Sequence, residues 1–244
     1  MSAIELASPR IVAIEDRGKK YLLTVGRIQK SQWIRYFEGI VSTSENQVGK
    51  RVDSFDSTTA RVELVEKVLI DASGYGTADG ASVSSQPGWQ QLIPLRHRQA
   101  AGNALVDVER AEPSDDDPIM LGSEPVFLNA VWSANERGEM LKFKNLCHRF
   151  RTPSSEHQRK FSRDSSRSVI VGGSRRGMTK WLGVQATLAE LYDELIESVE
   201  GYTVNGEPLT GRDRIVSEMD TYHKVAAADV LFTPASANVI DEGK

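Results

Sequence analysis

A chain of 244 residues, 39% apolar and 26% charged, has the balance of an ordinary globular protein and room for one large domain or two of about 100–120 residues. It contains no apolar run of about 18 residues, which argues against a membrane-spanning helix. A single cysteine, Cys147, excludes an intrachain disulfide framework or a multi-cysteine zinc site, and reads as a small apolar filler in a reducing compartment. The net charge of −4 is unevenly spread: residues 142–180 hold eleven Lys/Arg against two acids, a local +9, and the remainder carries −13.

The first residues carry early acids and no long apolar stretch, which argues against a signal peptide. Residues 10–15, RIVAIE, alternate apolar and polar; Asp16-Arg17-Gly18-Lys19 turns the chain, and 21–25, YLLTV, returns as a hairpin. Residues 31–41 follow as a helix capped by Ser31, with Trp33, Ile34, Phe37 and Val41 on its apolar face. A polar stretch, 42–58, leads to ARVELVEKVLIDASGY at 60–75, read as a helix stopped by Gly74. Residues 76–90 are a Gly/Ser/Pro-rich loop. Residues 91–108 mix helical and strand signals, and the acidic 109–118 reads as linker.

The second half follows the same order. A strand at 126–133 turns at Asn135-Glu136-Arg137-Gly138 and returns at 140–143; Ser154 or Ser155 opens a helix through Phe161. TLAELYDELIESVEGY at 187–202 has the clearest helical period, with Leu188, Leu191, Tyr192, Leu195, Ile196 and Val199 on one face and acids on the other. Four anchors recur in order at offsets of 120, 124, 127 and 126: the Arg-Gly turn, an aromatic at a helix end, the Glu-Leu…Gly-Tyr segment, and His97/His223 with their flanking alanines. The expected fold is therefore α+β, two tandem copies of a small hairpin-plus-helices domain. The copies span 1–108 and 125–233, joined by an acidic linker at 109–124 and followed by a flexible tail at 234–244.

No catalytic constellation is legible. Gly172-Gly173-Ser174-Arg175-Arg176-Gly177-Met178-Thr179, after a strand-like 168–171, resembles a phosphate-binding P-loop, but Met178 stands where the lysine must be. A glycine-rich turn is the plainer reading, with a backbone anion cradle behind it. The four histidines lack metal spacing, and the paired positions of His97 and His223 point to a packing or capping role. The candidate anion- or partner-binding set is Arg149, Arg151, Arg159, Lys160, Arg163, Arg167, Gly172, Gly173, Arg175, Arg176 and Lys180, interleaved with Phe150, Phe161 and Trp181. No cofactor or metal is expected.

Each half opens with a hairpin, a basic residue and an aromatic-bearing helix: KKYLLTVGRIQKSQWIRYF and MLKFKNLCHRFRTPSSEHQRKF. This opening resembles small proteins of bacteriophage tail and virion assembly, tail-assembly chaperones among them. The resemblance implies a non-enzymatic assembly protein that binds other subunits, including copies of itself. It would be cytoplasmic during assembly or part of the virion, and it transfers no catalytic residue. The alternative is a nucleic-acid-binding or packaging-associated module using residues 142–180.

Overall fold

The computed structural model describes residues 3–45, 51–76, 83–111, 121–169 and 175–233. In chain order the first half comprises β1 (Ile4–Glu5), β2 (Arg10–Asp16), β3 (Lys19–Val25), α1 (Lys30–Gly39), β4 (Val41–Glu45), β5 (Arg51–Phe55), α2 (Ser57–Val68), β6 (Leu69–Ser73), α3 (Trp89–Leu92) and α4 (Leu95–Leu105). Then come β7 (Val108–Ala111), β8 (Ser123–Ala134), β9 (Met140–Arg151), α5 (Ser155–Val169), α6 (Arg175–Leu195), β10 (Ile196–Glu200), β11 (Tyr202–Val204), β12 (Glu207–Pro208), α7 (Arg212–Glu218) and α8 (Thr221–Phe232). The fold is α+β.

Both hairpins form where alternation and turn chemistry place them. β2 and β3 pair from Arg10↔Val25 to Asp16↔Lys19, and Arg17 and Gly18 both take positive φ, as a two-residue hairpin turn requires. α1 forms near its expected place but ends at Gly39, Val41 begins β4 and Ile34 is exposed, and Gln29 caps the helix in place of Ser31: the Gln29 amide donates to Gln32 Oε1 at 2.7 Å.

The two organising helices are shorter than their sequence period suggests. α2 stops at Val68 and α6 at Leu195, and each runs without a loop into a strand, β6 or β10. A β-bulge explains the misreading. β10 pairs with β9 at Ile196↔Phe150 and Ser198↔Arg149, with a register shift between them. The extra residue puts Ile196 and Val199, three apart, on one buried face, so a bulged strand imitates helical spacing. β6 has the same pattern against β3, with the shift between Thr24 and Val25. Gly74 and Gly201, expected to stop helices, instead end these strands at φ +90°.

The antiparallel sheets are β2-β3-β6 and β10-β9-β8-β7; β4 pairs with β5. β7 corrects the linker reading: Glu109, Arg110 and Ala111 are strand residues paired to Asn129, Leu128 and Phe127. β1 pairs in parallel with β11, so the first strand of the chain is sewn to the second half. The outer edge of β2 is also closed from the second half: the Ile11 amide donates to Ser133 Oγ at 2.8 Å, and the Ala13 amide to Met140 Sδ at 3.4 Å. Trp33, Leu64 and Val65 of one half belong to the same apolar core as Phe150, Leu188, Leu191 and Tyr192 of the other.

Candidate functional site

Each half carries a tyrosine–histidine bond built by the same elements. After β6 and Gly74, the Tyr75 hydroxyl lies 2.8 Å from Nδ1 of His97 on α4; after β10 and Gly201, the Tyr202 hydroxyl lies 2.9 Å from Nδ1 of His223 on α8. The surroundings differ. In the first half His97 Nε2 meets Asp16 Oδ2 at 3.1 Å, and Asp16 also pairs with Arg96 at 2.5 Å. A carboxylate only accepts, so in the neutral ring Nε2 carries the proton and Nδ1 accepts from Tyr75. The His97 bond, with Arg96 nearby, holds the Asp16 carboxyl below its usual range.

In the second half the chain of bonds turns inward. Tyr202 also meets His148 Nε2 at 2.9 Å, and His148 Nδ1 meets the Tyr192 hydroxyl at 3.0 Å. All four side chains are buried. Burial drives both histidines down to about 3, with each one's neighbouring polar group adding to it: His223 beside His148, Arg10 beside His223. The same burial raises the Tyr192 and Tyr202 phenols. Neutral rings and hydroxyls locked at neutral pH suit a structural pin and not proton exchange with a substrate. β3 and β9 have equivalent register against β6 and β10, which places Leu23 where the second half has His148. That is why only one half builds the longer chain.

A cleft of about 140 Å³ lies between the halves, lined by Ser8 and Arg10 before and in β2, by Gln29 and Lys30 at the start of α1, and by Trp132 of β8. Asp220, Thr221 and Lys224 at the start of α8 close the other side. Arg10 is 4% exposed; its guanidinium stacks on Trp132 at 3.7 Å, and Nη2 donates to the Ala104 and Val131 carbonyls at 3.2 and 3.5 Å. Its Nε and Nη1, like His223 Nε2, are buried without a protein partner among the described residues. Sequence reading passed over Arg10, although it falls in phase with Val12 and Ile14 on the inward face of β2.

The expected basic surface proves divided. Lys160 reaches Glu190 and Glu194 of α6 at 3.1 and 2.9 Å, Arg149 reaches Glu200 at 3.3 Å, and Arg163 reaches Asp164 at 3.2 Å. Glu190, Glu194 and Glu200 are therefore engaged within the chain, because α5 packs beside α6 and β9 beside β10. Arg151 and Arg159 are exposed and have no such partner among the described residues, as are Lys142 and Lys144 on β9. Phe150 is fully buried and offers no face to a base, and half-buried Phe161 has one face stacked on Phe232 at 5.2 Å. Arg167 lies on α5 and Arg175, Arg176 and Lys180 on α6, their side chains outside the described residues, as are Gly172 and Gly173 altogether. Ser168 and Val169, read as strand before the glycine loop, are the last residues of α5, so the strand–loop–helix setting of a P-loop is not met there.

Among the described residues no cluster of three His, Cys, Asp or Glu could hold a metal, and no helix is long and apolar enough to cross a membrane. No protein-family model matches the chain, and no similar curated protein or solved structure was found.

Proposed function

We propose that this is a non-enzymatic structural or assembly protein, of a phage or prophage particle, that acts through protein–protein contacts. The observation that carries the reading is the row Lys142, Lys144 and Arg151 on β9 with Arg159 on α5. These cations are exposed and without partners among the described residues, while the neighbouring acids Glu190, Glu194 and Glu200 are engaged inside the chain. Such a row fits an acidic surface on another protein better than the acidic helix of a second copy. The particle context rests on the resemblance of the hairpin–helix openings alone. The repeated order of hairpin, two helices, bulged strand, glycine and tyrosine bonded to histidine supports the further reading that the halves descend from one duplicated unit.

The test is native mass spectrometry and light scattering of the full chain, with the proteins of its gene neighbourhood. Reversing Lys144, Arg151 and Arg159 to Glu should abolish the complex and leave the melting temperature nearly unchanged, since exposed substitutions cost within about 0.5 kcal/mol each. A monomer with no partner among those proteins, together with a small-molecule turnover, would overturn the reading.

A further inference from the structure

β8 turns alternate residues to opposite faces of its sheet. Val126, Leu128, Ala130 and Trp132 are buried on the inner face, where Trp132 meets His223 of α8 edge-on. Pro125, Phe127, Asn129 and Val131 fall on the outer face and are half-buried. An antiparallel sheet with one face in water ordinarily sets polar residues there, yet three of these four are apolar.

The strands on either side of β8 carry opposite charge on that outer face. Directly paired residues of antiparallel strands share a face. The register therefore places Lys142 beside Val131, and places Lys144, in the bulge between the Phe143 and Leu146 pairings, beside Asn129. On the other side Glu109 pairs with Asn129, and the Asp107 carbonyl, just before β7, accepts from the Val131 amide at 3.0 Å. All four charged residues are exposed, and none makes an ion pair among the described residues. β7 and β9 are two strand spacings apart, about 10 Å. The face thus has three rows: cations on β9, mainly apolar side chains on β8, acids on and before β7. Lys142 and Asp107 flank Val131 at one level, and Lys144 and Glu109 flank Asn129 at the next. Of the other charges on this face, Arg149 and Glu200 bond each other at 3.3 Å, and Arg151 stands at its far end.

We infer that the outer face of this sheet is the interface of a symmetric dimer, a second copy lying on it with the two-fold axis along β8. That axis lays β9 of each copy over β7 of the other, so that Lys142 faces Asp107 and Lys144 faces Glu109, each twice. An axis across the strands would lay lysine on lysine and acid on acid. The charges therefore select one orientation, while Phe127 and Val131, covered by the second sheet, supply the apolar contact. The inference deepens the assembly reading and rests on its basic row: Lys142 and Lys144 go to the second copy, and Arg151 and Arg159 are left for the other protein.

Sedimentation equilibrium and native mass spectrometry of the full chain test it. The protein should be a dimer that dissociates on dilution, and more readily at high salt. Lys144→Glu should weaken dimerisation about tenfold, because it sets two like-charge pairs in the interface, and Glu109→Lys should do the same. The chain carrying both substitutions should regain the dimer, since the exchanged charges face each other again. Both positions are exposed, and thermal melts of the variants should stay close to that of the unaltered chain. A protein that is monomeric at its highest soluble concentration, single variants that dimerise undiminished, or a double variant as weak as either single one would overturn the interface. Adding the proteins of the gene neighbourhood separates the two readings. A monomer that binds one of them keeps the assembly reading and removes the dimer; a dimer that binds none of them keeps the dimer and removes the second protein.

Discussion

Tyr202 and Tyr75 make the same bond to a histidine, but losing the two hydroxyls should have different effects. Tyr202→Phe strips a partner from His148 and another from His223, both fully buried, at a cost of roughly 2–4 kcal/mol. Tyr75 is half-buried and serves one ring nitrogen, so Tyr75→Phe should cost about 1 kcal/mol. Denaturant melts of the two variants measure the difference, and equal losses would contradict the buried-pin reading. The same residues set an acid limit. His148 and His223 stay neutral in the fold down to about 3, while in the unfolded chain histidine titrates near ~6.5. Between those values the unfolded state binds protons that the folded state refuses, so stability is full above ~6.5 and falls as pH drops towards 3. Melts from pH 7 to 4 should show this slope, up to about 1.4 kcal/mol per pH unit for each ring. In His148→Gln the slope should be shallower; an unchanged slope would assign the acid sensitivity elsewhere.

At the scale of elements, the helix-to-strand switch depends on its terminal glycine. Gly74 and Gly201 share φ +90°, where a side chain is strained, but their neighbours differ. A Cβ on Gly74 would sit 2.9 Å from the Lys20 carbonyl oxygen, a backbone atom; on Gly201 it would sit 2.7 Å from Leu146 Cδ2, the end of a flexible side chain. Gly74→Ala should therefore destabilise more than Gly201→Ala, with both beyond about 1 kcal/mol. Chemical melts rank them, and the reverse order would mean that β6 yields more easily than its pairing suggests. The bonds between α5 and α6 behave differently. Lys160 and its acids are partly exposed, so Lys160→Ala should move stability by less than about 1 kcal/mol.

Across the whole molecule, the halves are bound too closely to be independent. β1 pairs with β11, Glu5 accepts from the Asn205 and Gly206 amides at 3.0 and 2.8 Å, and Trp33 of α1 donates to Asp220 at the start of α8. Burial alone would raise the Glu5 carboxyl, but the amides of Gly206, Ala7 and Asn205 outweigh it and hold it low. Fragments 1–111 and 121–233 expressed separately should each give poorly dispersed amide spectra and should recover native dispersion on mixing. A fragment that folds alone would establish an autonomous domain. Salt should weaken partner binding through the β9–α5 cations, which are screened, and leave the apolar core that the two halves share intact.

Much of the architecture was legible because it is local. Alternation and the Arg-Gly turn specify the β2–β3 hairpin, and helical spacing specifies α1 to within two residues. The α+β class follows from those elements. The spans of β6 and β10 were not legible, because a bulge gives a strand the spacing of a helix, and only the neighbouring strand shows which it is. The Tyr–His bonds join residues about twenty apart that meet through packing, so the matched sequence positions showed that they correspond but not that they touch. Arg10 could be placed on the inward face of its strand from the sequence, but whether anything neutralises it depends on which elements converge there. The fate of the basic segment was likewise tertiary. A count of charges describes its composition, whereas the packing of α5 on α6 decides that Lys160 is spent inside the chain and Arg159 faces out.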